Sequence, residues 1–239
     1  MKNKTSFNFE KGRIVSSKYE IINKLGQGWE GEVYLVKEID THIERAAKFF
    51  YPERNPKNKT VKAYAKKLHK LRACNSLIKY IAKDTLEIND EVITYLLSDF
   101  VEGYTFDTYI NSWHPEGMPF YQALHLFYSV VKALEEIHIN KEWHGDVHSD
   151  NIIIQKSSLS YDLKLVDVFH LAHGEKGSIQ QDVYDLCYLL YDSIGGKLNY
   201  KSQPKIVKDI CCGLKKTLIK KKFRNATQIR VFLENSTWE

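Results

Sequence analysis

The sequence predicts an α+β chain in two lobes, a small strand-rich one followed by a larger, mainly helical one. Three observations carry this. Residues 19–50 read as strands, with Glu32–Val36 alternating at period two, and two further strands follow near 77–82 and 91–97. From about residue 104 the apolar spacing becomes helical, interrupted by two short strands that flank a turn. At 239 residues and 43% hydrophobic content the chain is long enough to bury a substantial core.

The elements follow in order. Residues 1–18 read as an N-terminal extension. Tyr19–Leu25 reads as a strand ending at Gly26, and Glu32–Val36 as a second. Arg45–Phe50 is a third, stopped by Pro52 and Pro56. Val61, Tyr64, Ala65, Leu68 and Leu71 recur at helical spacing over 60–73. Strands near 77–82 and 91–97 complete the first lobe, and residues 99–103 connect it to the second, 104–239. There Leu124, Phe127, Tyr128, Val131, Leu134, Ile137 and His138 form one stripe of a helix over 120–139. Short strands at Ile152–Ile154 and Leu163–Val166 precede helices over 182–194, 205–219 and 226–234.

Composition excludes several classes. Charged residues make up 27%, which argues against a disordered chain. The segment Met1–Lys11 has no apolar core of signal-peptide length, and no apolar run is long enough to span a membrane. The net charge of +5 draws on Lys215, Lys216, Lys220, Lys221 and Lys222, which read as a solvated helix face rather than a specific nucleic-acid site. Cys74, Cys187, Cys211 and Cys212 lack zinc-ligand spacing, so reduced thiols and a cytoplasmic location are expected.

Three motifs carry chemistry. Gly26-Gln27-Gly28-Trp29-Glu30-Gly31-Glu32-Val33 is a glycine-rich turn between two strands, where backbone amides can approach phosphate oxygens closely. A plain glycine hairpin has the same pattern, but strands on both sides argue against a dinucleotide-binding turn. Lys48 lies inside an apolar strand, 20 residues beyond Gly28. Alone it would snorkel at a strand edge; beside a glycine-rich hairpin it reads as a phosphate clamp. The third motif is Trp143-His144-Gly145-Asp146-Val147-His148-Ser149-Asp150-Asn151, between a long helix and a short strand. Asp146 offers a carboxylate to a hydroxyl, Asn151 an amide oxygen to a hard cation, and Asp167 ends the next strand 21 residues after Asp146.

Together these residues resemble the eukaryotic-type protein kinase superfamily over about residues 19–234, with a glycine loop, a strand lysine, a catalytic Asp with Asn five residues on, and a metal-binding Asp in the family's order. The resemblance implies a bilobal fold, with nucleotide held between lobes joined at Asp99–Gly103. Asp182–Leu186 resembles the helix whose buried Asp braces the catalytic loop, and Lys222–Thr227 the family's last arginine segment. The implied nucleotide-binding set is Gly26, Gly28, Gly31, Val33 and Lys48, with the backbone of Asp99 and Val101 for adenine. Asp146 would orient and deprotonate the acceptor hydroxyl, with Lys48 on the α/β-phosphates and His148 as a further catalytic candidate. Asn151 and Asp167 would hold Mg2+, and ATP would be the donor.

Four departures qualify the resemblance. The helix over 60–73 has no acid to pair with Lys48; the position falls on Tyr64 or Ala65, and Asp167 or Glu53 is the expected substitute. The catalytic loop reads His-Gly-Asp, which also resembles aminoglycoside- and choline-type kinases, and His148 is read equally as a γ-phosphate contact or a turn stabiliser. Asp167-Val168-Phe169 keeps the carboxylate of the metal motif and lacks its glycine. Only 15 residues separate Asp167 from Asp182, so the activation segment is shortened, and Arg224 lacks its usual glutamate, for which Glu175 is a candidate. The leading expectation is a Ser/Thr protein kinase. A small-molecule kinase and a nucleotide-binding pseudokinase scaffold are the alternatives.

Overall fold

A computed structural model of the chain describes residues 6–157, 160–168 and 177–237. The chain divides into two units: residues up to Ala73 with Ile78–Val101, and Cys74–Leu77 with the chain from Glu102 onward.

Unit 1 is an antiparallel sheet with one α-helix. Its strands are β1 (Ile14–Val15), β2 (Tyr19–Gln27), β3 (Gly31–Glu38), β4 (Glu44–Phe50), β5 (Tyr80–Ile88) and β6 (Glu91–Asp99), and its helix is α1 (Lys59–Lys70). The sheet order is β1-β2-β3-β4-β6-β5. Asn89 and Asp90 both take positive φ (50° and 62°), as a two-residue hairpin turn between β5 and β6 requires. Pleating sends alternate residues of β4 to opposite faces. Phe49 joins Phe9, Tyr34, Val36, Ala47, Tyr95 and Leu97 in a buried aromatic core. Lys48 lies on the other face, paired in register with Val33 on β3 and Leu96 on β6.

Residues 6–15 belong to this unit physically. Phe9 and Val15 sit in its core, and Phe9 meets Phe49 edge-on at 4.9 Å. Glu32, fully buried, fastens this segment. It accepts from Ser6 Oγ (2.6 Å), Phe7 N (3.0 Å), Tyr51 Oη (3.1 Å) and Tyr34 Oη, and pairs with Lys24 at 3.2 Å.

Unit 2 places a small sheet against helices. Its elements are β7 (Tyr104–Thr105), α2 (Phe106–Trp113), α3 (Phe120–Ile139), β8 (Ile152–Ser157), β9 (Ser160–Leu165), α4 (Ile179–Ser193), α5 (Gly196–Asn199), α6 (Lys205–Cys211), α7 (Lys216–Lys222) and α8 (Ala226–Glu234). The sheet order is β7-β8-β9, and Leu77 bridges Leu165. Along α3 the stripe Leu124, Phe127, Val131, Leu134, Ile137 and His138 is buried as its spacing predicts, whereas Tyr128 is only half-buried and turns its hydroxyl to Glu234 at 2.6 Å. The single helix expected over 205–219 is instead two. Cys212, Gly213 and Leu214 all take left-handed φ, and the Gly213 amide donates to Tyr200 Oη at 3.1 Å. Lys215, Lys216, Lys220, Lys221 and Lys222 are exposed, as expected of a solvated face.

Burial alone would raise the Glu32 carboxyl, but the hydrogen bonds from Ser6, Tyr34, Phe7 and Lys24 outweigh it and hold the group at about 2. Its contribution to stability is therefore present above the unfolded-state carboxyl range and lost as pH falls from about 4.5 toward about 2. Denaturant unfolding across that window will show stability declining. Glu32→Gln will lower stability at pH 7 by roughly 2–3 kcal/mol and flatten the acid limb.

Candidate functional site

In unit 1 the glycine-rich turn and Lys48 come together in one hairpin. Gly28 N donates to Gly31 O at 2.8 Å, closing the turn between β2 and β3. A Cβ on Gly26 or Gly28 would meet nothing within 4 Å. One on Gly31 would lie 1.9 Å from the Phe49 carbonyl oxygen, so Gly31 is required by close packing of β3 on β4. Lys48 does not snorkel; it is 9% exposed, with Nζ 2.9 Å from Glu30 Oε2. The aromatic faces of Tyr64 and Phe50 lie 5.1 and 5.4 Å from the ammonium. Glu30 of the glycine-rich turn is thus an acid beside Lys48 in this unit that the motif spacing does not suggest, and Tyr64 presents its ring where the helix acid is missing.

In unit 2 the catalytic-type loop hangs on a buried carboxylate. Asp182, in the first turn of α4, is wholly buried and accepts from His144 N (2.6 Å), Gly145 N (2.8 Å) and His138 Nε2 (3.0 Å). His138 Nδ1 takes the Ala226 amide at 3.0 Å, so its proton sits on Nε2 and points at Asp182. His144 Nε2 lies 3.0 Å from the Val166 carbonyl, which can only accept, so it too carries its proton on Nε2. Its Nδ1 then receives the Asp146 amide at 3.3 Å. One imidazole therefore ties the backbone of Asp146 to the strand end just before Asp167.

The side chains meet as their spacing predicts. Asn151 Nδ2 donates to Asp146 O (2.9 Å) and Oδ2 (3.2 Å) and lies 2.9 Å from His148 Nε2. His148 Nε2 is 3.4 Å from Asp146 Oδ2. The hydrogen bond to Asp146 raises the His148 pKa; partial burial opposes this, and the charges of Asp146, Asp150 and Asp167 add to the rise. With its nitrogen directed at Asp146, Asn151 keeps its amide oxygen as the end suited to a hard cation. Asp167 sits at φ 58°, a left-handed conformation that Asp tolerates better than most residues and that is common at functional sites.

Gly145, where protein kinases carry arginine, takes φ 96°. A Cβ on Gly177 would lie 2.5 Å from Trp143 Cδ1 and 3.1 Å from Gly145 Cα. The two glycines thus pack around Trp143, and a side chain at Gly145 would be strained. Phe169 and Glu175 lie outside the described residues. At the expected hinge, Arg45 Nη1 lies 3.4 Å from Asp99 Oδ1, and Asp99 N donates to Lys79 O at 3.2 Å. Burial pushes the Cys187 thiol well up and Cys211 to about 12, which removes both as nucleophiles.

The model of the protein kinase domain matches residues 19–209. The chain belongs to the protein kinase family. The serine/threonine-protein kinase PrkC of Bacillus subtilis is 21% identical over 217 residues, 80% of this chain and 32% of PrkC. A probable serine/threonine-protein kinase of Dictyostelium discoideum is 26% identical over 186 residues, 74% of this chain and 42% of its own length. The chain therefore spans a third to two fifths of these relatives. The Mycobacterium tuberculosis PknI kinase domain, as a double mutant, superposes with TM-score 0.71 at 17% identity, over 95% of this chain and 98% of that one. This likeness shows the kinase fold.

Of the residues the motifs single out, the structure brings Asp146, Asn151 and His148 together and hangs their loop on Asp182; Glu30, His138 and Asp185 the motif reading does not single out. Glu30 is the one acid between the first and last glycines of the motif, in a chain whose helix α1 lacks one, and that coincidence is its only signal. Asp185, one turn beyond Asp182, has its carboxyl pushed up to about 6 by burial, with the charges of Asp182 and Asp146 adding to the rise. Gln181 Nε2, 2.7 Å away, and the charge of Lys216 oppose it. A folded-state pKa above the unfolded value means stability is lost as pH rises through about 6. Asp185→Asn will raise stability at pH 7 by about 1–2 kcal/mol and by nothing measurable at pH 4, read by denaturant unfolding at both.

Proposed function

We propose that the chain is an ATP- and Mg2+-dependent phosphotransferase that moves the γ-phosphate to serine or threonine hydroxyls of a protein, acting in the cytoplasm. Family membership and the names of the kinase relatives support this reading. The four free cysteines and the absence, among the described residues, of any helix long and apolar enough to cross a membrane accord with the location. The observation that carries the activity is the Asp146–Asn151 pair, held by the His144 and Asp182 network.

Each residue then has a role. Asp146 receives the hydroxyl proton of the acceptor as its oxygen attacks the γ-phosphorus and the bond from that phosphorus to the β-phosphate oxygen breaks, ADP leaving. Asn151 fixes the rotamer of the Asp146 carboxylate. Lys48 holds α/β-phosphate oxygens, beneath the amides of the Gly26–Gly31 turn and beside Val33. Adenine is taken by the backbone of Asp99 and Val101. Asn151 and Asp167 would hold Mg2+ through an amide and a carboxylate oxygen, a donor set that fits a hard cation. When bound, the ion neutralises charge developing on the transferred phosphoryl group. His148, whose Nδ1 takes the Asp150 amide at 3.3 Å, turns Nε2 toward Asp146 and steadies the loop.

Labelled ATP with Mg2+, offered to the protein alone and with a generic protein substrate, tests this. Wild type will label itself or the substrate. Asp146→Asn will lower the rate by about 10³-fold while nucleotide affinity stays within about twofold. ATP turnover seen only with small hydroxylated compounds would move the acceptor to the small-molecule class. Binding without turnover under every condition would leave a scaffold.

A further inference from the structure

We propose that Glu30 is the positioning residue for Lys48: the counter-charge for the clamp lysine has moved from the helix into the glycine-rich turn. The inference rests on the reading of Lys48 as a phosphate clamp.

Four observations carry it. The helix α1, Lys-Thr-Val-Lys-Ala-Tyr-Ala-Lys-Lys-Leu-His-Lys, has no carboxylate to offer. Glu30 Oε2 lies 2.9 Å from Lys48 Nζ, and the two residues are 3% and 9% exposed. Both ends of the pair are anchored in one ladder. The Glu30 carbonyl accepts from Tyr51 N at 2.9 Å, and Tyr51, three residues after Lys48, lies just past the end of β4. Finally, Glu30 Oε1 is buried with no hydrogen-bond partner among the described residues.

That orphan oxygen separates Glu30 from Glu32, two residues on. Glu32 gathers five donors and is saturated, as a carboxylate with a purely structural task should be. Glu30 is buried at a desolvation cost that its hydrogen bonding only half offsets. An apolar residue would avoid that cost while filling the same space. What Glu30 provides, and an apolar residue could not, is a fixed negative charge against Lys48.

The pairing also changes what the lysine is coupled to. A carboxylate on a helix ties the ammonium to the helix's position; one at the end of β3 ties it to the turn meant to cover the phosphates. Tyr64 completes the arrangement from α1 by offering a π-face, which attracts the cation without fixing its direction as a carboxylate does. Lys48 has three N–H donors, so Glu30 can hold one while others face phosphate oxygens.

The test uses the full chain as wild type, Glu30→Gln, Glu30→Gln with Tyr64→Glu, and Lys48→Ala as the reference for loss of the clamp. Two readouts are taken: the lysine ammonium signal of the nucleotide-free protein by 15N NMR, and kcat and KM for ATP. Glu30→Gln will erase the slowly exchanging Lys48 ammonium signal and lower kcat/KM by about 10–100-fold, the scale of a misplaced catalytic group. Restoring a carboxylate from the helix through Tyr64→Glu will bring back the signal and at least about threefold of the rate, which a Glu30 serving only the fold of the turn would not permit. The proposal is overturned if Glu30→Gln retains the signal or stays within about twofold of wild-type kcat/KM, or if the double variant recovers nothing. A wild-type chain that transfers no phosphate sinks the kinase reading instead, and the ammonium signal then decides the Glu30 pairing alone.

Discussion

The second unit is organised around the buried charge of Asp182. Its carboxylate is wholly excluded from water, and the donors turned toward it are a histidine ring and two consecutive backbone amides. Such a charge is tolerable only while every donor stays in place, because losing one restores a desolvation cost of a few kcal/mol. The donors come from distant parts of the sequence. His138 ends α3 and is itself held by the amide opening α8, while His144 and Gly145 are the loop that delivers Asp146. A requirement of electrostatics, that the carboxylate be satisfied, thus becomes a requirement on the backbone of the loop.

Both imidazoles in this network act through their tautomers. His138 and His144 each carry the proton on Nε2 because Nδ1 is taken by an amide donor. Neither has to be charged to do its work, so the loop is held without adding a cation near Asp146. His148, half-exposed beside Asp146, has its pKa raised by the hydrogen bond to that carboxylate.

Much of this was legible in the sequence, for a physical reason. Lys48, Asp146, Asn151, Asp167 and Asp182 stand at spacings set by one strand, one turn and one helix start, and local geometry survives in a linear pattern. The α3 stripe was legible on the same ground, since burial along a regular helix repeats with its period. The break between α6 and α7 was not, because three successive left-handed residues leave no periodic trace when only one is glycine. Glu30 was also hidden: pairing it with Lys48 depends on β3 and β4 lying side by side, which no single segment encodes. Gly31 and Gly145 look like members of functional motifs, yet the structure gives each a steric reason as well, one against the Phe49 carbonyl and one in a left-handed loop.

The segment from Ser6 to Val15 bears on where this domain begins. Family similarity starts at residue 19, and every residue assigned to the proposed chemistry lies beyond that point. The folded object starts earlier. A chain trimmed to the homologous boundary would keep its whole catalytic inventory yet strip Phe9 and Val15 from the aromatic core. It would also leave Glu32 without the hydroxyl of Ser6 and the amide of Phe7. The limits drawn by sequence descent and those drawn by cooperative folding differ here by about a dozen residues, and a fragment that respects only the first would fail through its hydrophobic wall rather than its active residues.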